Sequence, residues 1–289
     1  MCEKKKAPLG QGVLSMALAN FDSWLRSPRT ILMLLFIAAI CYLQMCGYEM
    51  KLNETGYTMH LGETLFYEFK FGCNMPMTTV LFLIMVSELP RRIAYPQYSL
   101  IRSSRCRWMA AQLLYCLMMV VAMIALIALF IALMALPLVT PGSGWSDAAR
   151  IASGEIEPYE ALISEFILNN YTPFTATLLA MIPVFCFWLT MVFVILMFGV
   201  WGSPVFGVLM YAFLMVANVT ILFEAFPFQL ILPIQYATLD NIISGYDGKE
   251  IQQFLKVMGV YAALIVSLVV VMMISVKRVE LNFHAESKQ

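Results

Sequence analysis

The chain is short of charge. Only 12% of its 289 residues are Asp, Glu, Lys or Arg, where a soluble domain carries about a quarter. So little charge excludes an ordinary water-soluble domain of this length. Histidine is scarcer still, with only His60 and His284. The seven cysteines are scattered and form no CxxC pair. Zinc and iron–sulfur sites therefore fail at the ligand count. No GxxxxGK[ST] string is present, and Gly245-Tyr-Asp-Gly248-Lys249 lacks the spacing that cradles phosphates. HExxH and GxSxG are also missing. The chain thus carries no recognisable nucleotidase, zinc protease or serine hydrolase centre of its own. Eighteen basic residues balance eighteen acidic ones, so bulk charge suggests no nucleic-acid partner.

Apolar residues make up 61% of the chain, and they are grouped. Runs of roughly 18 or more apolar residues argue for membrane spans. The reading is an all-α integral membrane protein with six transmembrane helices. Span one covers 30–48, span two 71–87, span three 108–137, span four 174–198, span five 204–223 and span six 257–276. No charged residue lies between Phe166 and Phe223, a stretch too long for one span and right for two. Gly199, Gly202 and Pro204 supply the tight turn between them. Span two is short. It either borrows Leu65–Tyr67 by tilting or has its outer end shielded by protein. Phe226–Tyr236 is too short to cross and is broken by Pro227 and Pro233, so it reads as re-entrant outer helices between spans five and six. Glu49–Lys70 reads as a mixed outside loop, and 157–169 as a short amphipathic outer helix.

Residues 1–29 form a lead-in, 30–276 the six-span bundle and 277–289 a tail. Lys4, Lys5 and Lys6 precede no apolar core, so a signal peptide is not expected. Leu14, Ala17, Leu18, Phe21, Trp24 and Leu25 recur at helical spacing. They predict an amphipathic helix lying in the interface, with Trp24 at headgroup depth. Ser27-Pro28 breaks it before span one.

Orientation follows from the basic residues. With both termini cytoplasmic, the inside holds Lys4–Lys6, Arg26, Arg29, five arginines between spans two and three, Lys277, Arg278 and Lys288. The outside holds Lys51, Lys70, Arg150, Lys249 and Lys256. Thirteen against five satisfies the positive-inside rule. The expected location is a cell membrane, crossed several times, in a bacterium's plasma membrane.

The five arginines stand out. Ser87–Gln112 holds Arg91, Arg92, Arg102, Arg105 and Arg107 against Glu88 alone. It is the one large internal cytoplasmic surface available to a soluble partner. Arg102 and Arg105 are spaced i, i+3 on a helical piece expected over 98–107. Lipid-headgroup anchoring is an equal reading of the arginines alone. No span carries a mid-membrane Asp, Glu, Lys or Arg, which argues against a proton-driven carrier or pump. Gln112, Thr190 and Asn218 are the polar points; Asn218 reads as helix packing or as a substrate contact. Cys46 and Cys73 flank the first outside loop, and two unpaired thiols are favoured over a disulfide.

With that topology the segment resembles the permeases of the ABC-2 transporter family, the class of the ABCG-type exporters. The shared features are the amphipathic lead-in ending at Ser27-Pro28-Arg29, Glu88 at the inner end of span two, and the Arg102, Arg105, Trp108 run feeding span three. The tight turn between spans four and five and the re-entrant outer segment complete the match. The resemblance implies a cytoplasmic coupling helix between spans two and three. In that arrangement Glu88, Arg91, Arg92, Arg102 and Arg105 meet a separate ABC ATPase present in two copies. It implies a second permease copy or a homologous permease. It also implies a pathway lined by spans two and five, with Thr79, Met215 and Asn218 as candidates. ATP and Mg would sit on the ATPase, and this chain would bind no cofactor. The expected function is export of an amphipathic drug, lipid or peptide by alternating access. No ATPase is fused to the chain, unlike the ABCG arrangement. The alternative is a non-transporting membrane scaffold or immunity protein that binds its partner through the same basic loop.

Overall fold

A computed structural model describes residues 9–55, 58–70, 74–90, 104–147, 149, 165–221, 237, 239, 242 and 249–278. These are almost all helical. In chain order the elements are α1 (Leu9–Leu25), α2 (Pro28–Thr55), β1 (Met59–His60), α3 (Leu61–Lys70), α4 (Asn74–Val86), α5 (Arg105–Ala135), β2 (Val139–Thr140), α6 (Glu165–Asn170), α7 (Pro173–Trp201), α8 (Pro204–Ile221) and α9 (Glu250–Arg278).

Among the described residues, four helices are long and apolar enough to cross a membrane: α2 over Pro28–Cys46, α5, α7, and α9 over Glu250–Val276. At 1.5 Å per residue the 31 residues of α5 extend about 46 Å, well beyond the roughly 30 Å of a hydrocarbon core. The 13 residues of α4 reach only about 20 Å. Large apolar side chains face outward on several of these helices, among them Leu35 and Leu43 of α2, Phe206 and Phe213 of α8, and Leu255 and Val266 of α9. In water that surface would be a liability; against lipid it is the natural exterior. The chain is therefore a mostly helical, membrane-embedded protein.

Helix α7 is the centre. Two-thirds of its most apolar window is buried, against a third or less in the other three long helices. It packs against α3, α4, α5, α8 and α9. A helix that is apolar all round belongs inside a bundle, and α7 carries no charged residue. It opens on Thr172, whose side chain accepts from the Thr175 amide, with Pro173 in the first turn where a missing N–H costs nothing. It ends at Gly202, whose φ of 132° suits a residue without Cβ. The amides of Gly202 and Ser203 donate back to the Phe198 carbonyl at 3.1 Å. The turn is thus only Gly202-Ser203, and Gly199 lies inside the helix. Trp201, just before the turn, is half exposed.

The apolar helices α2, α4, α5, α7, α8 and α9 alternate in direction, and this defines two ends. At one end lie the α1–α2 corner, the close of α4, the start of α5 and the α7–α8 turn. This is the basic end. The other, the cap end, is covered by α3, α6 and the short β1–β2 pair.

The cap differs from the sequence expectation. Helix α2 continues to Thr55, and most of the expected mixed loop is helical. Strands β1 and β2 pair in parallel, Met59 with Val139 and His60 with Thr140, the only sheet among the described residues. Helix α3 lies on α5 and α7, where the Thr177 hydroxyl donates to the Gly62 carbonyl at 3.0 Å. Leu65–Tyr67 belong to the separate helix α3 and not to α4. The re-entrant segment Phe226–Tyr236 and most of the expected outer helix 157–169 lie outside the described residues; α6 overlaps the end of that outer helix.

Helix α1 also departs from expectation. Its apolar stripe divides into two faces. Ala17, Asn20 and Trp24 are buried against the protein, and α1 packs chiefly on α5. Leu14, Leu18 and Leu25 are exposed. Trp24 is thus a packing residue with its ring 5.5 Å from that of Phe21, and the leucines are the face left for lipid.

Candidate functional site at the basic end

Pro28 starts α2, and Ile31 donates its amide to the Ser27 carbonyl at 3.1 Å, so the chain turns sharply from α1 into α2. That turn presents Arg29 to the end of α4. Arg29 Nη1 lies 2.8 Å from Glu88 Oε1. Both side chains are well exposed, so the pair adds at most about 1 kcal/mol. Its value is positional, because it links two residues 59 apart in sequence.

Just past Glu88, Leu89 is buried and the Leu89–Pro90 peptide is cis. This peptide rests on Gly199 of α7. A Cβ there would run into the Leu89 carbonyl oxygen and the Pro90 ring, so glycine is what lets the end of α4 lie on α7. Arg91, Arg92 and Arg102 lie outside the described residues. The chain resumes at Ser104, whose hydroxyl caps α5 by accepting from the Arg107 amide at 3.4 Å. Arg105 is exposed at the first position of α5 itself, while Trp108 is buried. The described part of the expected helical piece is therefore the first turn of α5.

Of the pathway candidates, Thr79 is buried between helices. Its hydroxyl accepts from Trp188 Nε1 at 3.0 Å, and Phe82 packs on the same indole at 5.0 Å. Met215 is buried on α8. The Asn218 side chain lies outside the described residues. Thr190 donates to the Cys186 carbonyl of its own helix at 2.7 Å. An apolar groove of about 450 Å³ runs between α5 and α7, lined by residues such as Ile124, Ala128, Met181 and Phe185.

The sequence reading missed the polar cluster at the cap end. Glu63 is fully buried. It accepts from the Ser146 amide and hydroxyl, the latter at 2.7 Å, and from the His60 amide at 3.2 Å. His60 Nδ1 meets the Gly144 carbonyl at 2.7 Å, and Trp145 Nε1 donates to the Tyr171 carbonyl at 2.7 Å. Glu63 thus fastens α3 to the stretch after β2. Its one sequence signal was a Glu in the first turn of a short helical pattern, the position favoured by the helix dipole. Among the described residues no group of His, Cys, Asp and Glu could hold a metal ion. Cys46 is a free thiol, and Cys73 lies outside the described residues.

These features define a class: a polytopic helical membrane protein with a bound lead-in helix and a basic segment rooted at one corner of its bundle. Compared with protein-family models, curated proteins and solved structures, the chain matches none.

Proposed function

We propose that this chain is the membrane permease of an ATP-driven transporter and is worked by a separate ATPase at the basic end. The observation that carries the reading is the corner itself. The basic segment 91–103 leaves from Pro90 and re-enters at Ser104. Its departure point is held to α2 by Arg29–Glu88 and laid on α7 at Gly199. Its return point is the first turn of α5, the helix on which α1 packs. A partner pushing on this one segment would load α2, α4, α5 and α7 together. The thirteen-to-five charge division supports a cytoplasmic side for that corner. In this reading α4 and α8 cross alongside the four longer helices, two copies of the chain frame the pathway, and ATP and Mg are held by the partner. The moving load is an amphipathic drug, lipid or peptide, because the interior offers Met, Phe and Leu rather than charge.

The test is co-purification of the full-length chain with the ATPase encoded beside it, followed by ATP-dependent transport in proteoliposomes. Arg102→Glu with Arg105→Glu is expected to abolish both association and flux. Retention of both would refute the coupling assignment. Association without any flux, for every amphipathic substrate tried, would favour the scaffold.

A further inference from the structure

We infer that Glu68, in the cap helix α3, is a proton-binding site that seats this helix when protonated and loosens it when charged. The site is separate from the basic end and does not depend on an ATPase. Glu68 is 4% exposed. Its carboxyl has one hydrogen-bonding side chain to call on, Gln44 of α2, and its Oε2 has no hydrogen-bond partner among the described residues. Five residues earlier on the same helix, Glu63 is equally buried but accepts three hydrogen bonds. Two buried acids on one short helix are thus provided for in opposite ways.

Among the described side chains of the packed elements no cation faces Glu68; His60 of β1 lies beside Glu63 instead, and the side chains of Glu49, Lys51 and Glu54 of α2 lie outside those described. Helix α7 carries no charged residue and α4 none. The charged residues of α5, Arg105 and Arg107, are at its far, basic end. From α2 the facing groups are Gln44 and Cys41, the latter within electrostatic reach of the carboxylate. Glu63 is the other acid of α3. Lys70, two residues on, has a side chain outside the described residues. A buried carboxylate with one oxygen left without a hydrogen bond is costly, and buried acids of perturbed charge state cluster at functional sites. Burial, the dominant cause, raises the Glu68 carboxyl to about 7, with the Gln44 hydrogen bond opposing it. The group can therefore change charge near neutrality. Taking up a proton from cap-side water converts the carboxylate to the neutral acid, which fits the apolar seat. Losing the proton leaves a charge that is satisfied only if α3 lifts toward water.

The experiment is infrared titration of the purified full-length chain in lipid nanodiscs, from acidic to alkaline buffer. The expected result is a protonated-carboxyl carbonyl band that disappears with a midpoint near neutrality and is absent in Glu68→Gln. Gln44→Leu removes a donor to the carboxylate and should move the midpoint upward. Hydrogen exchange of α3 amides should accelerate above the midpoint in the native chain and stay slow in Glu68→Gln, which mimics the neutral acid. Should Glu68→Gln fail to fold, Glu68→Asp serves instead, with the band retained at a displaced midpoint. A band that survives Glu68→Gln, or a midpoint unmoved by Gln44→Leu, overturns the inference. So does a band that emerges only when Lys70→Ala is introduced, since Glu68 would then be held charged by the lysine.

Discussion

At the scale of single residues, the cap and the core make different demands. Glu63 accepts hydrogen bonds from three donors in the cap. Glu63→Ala leaves the buried Ser146 amide and hydroxyl unpaired, at a cost of about 1–3 kcal/mol for each orphaned group. The expected result is a lower unfolding midpoint and faster hydrogen exchange over 144–149, with Glu63→Gln intermediate. In the core, Gly207 of α8 faces α7 so closely that an added Cβ would lie 2.8 Å from Ile195 Cα. Backbone cannot swing aside as a side chain can. Gly207→Ala should push α8 off α7 and cost roughly 1–3 kcal/mol, as overpacking usually does. Thermal unfolding in detergent would measure it; an unchanged midpoint would refute so close an approach of α8 to α7.

At the scale of elements, α3 is the piece whose stability depends on pH. The folded-state pKa of Glu68 is raised from 4.5 to about 7, so the folded chain binds the extra proton between those values. The stability contributed by Glu68 is therefore complete below about 4.5, falls as pH rises from there to about 7 and is flat beyond. The full loss is on the order of 3 kcal/mol. Glu68→Gln should abolish this slope while leaving others in place, which unfolding curves across that window would read. Helix α1 gives a second prediction of this kind. Trp24→Ala removes a fully buried ring and should cost about 3–5 kcal/mol, freeing α1 from α5. Leu14→Gln with Leu18→Gln alters only the exposed face and should leave the bundle's unfolding midpoint unchanged. Limited proteolysis near Arg26 would report the release.

Whole-molecule architecture was largely legible in the sequence because lipid imposes a simple rule. Long apolar runs become helices, and each of α2, α4, α5, α7, α8 and α9 overlaps an expected span. What could not be read was anything set by partners distant in sequence. Glu63, Glu68 and Lys70 interrupt the apolar pattern before α4 and so read as loop. The burial of Glu63 depends on Ser146, 83 residues away, and that of Glu68 on Gln44 of another helix. The same limit applied to Trp24, since spacing shows that a stripe is apolar but not whether protein or lipid covers it. Gly199 was legible as a glycine near a turn, not as the seat for Leu89. The corner at the basic end joins pieces from three parts of the chain. Charge reversal of one member, Arg29→Glu, should weaken ATPase association in the proposed complex by several fold, and the exchange Arg29→Glu with Glu88→Arg should recover part of it. Pull-down of the ATPase by the three variants would decide; equal capture by all of them would remove the ion pair from the coupling role.

The distribution of indoles has a practical consequence. Of the five tryptophans, Trp24, Trp108, Trp145 and Trp188 are 8% exposed or less, and Trp201 alone is 51% exposed. Bromine atoms carried on lipid tails should therefore quench essentially one emitter, at the α7–α8 turn. Because the other four stay bright, the chain is its own fluorescent depth gauge, and Trp201→Phe should leave an emission that brominated lipid no longer dims.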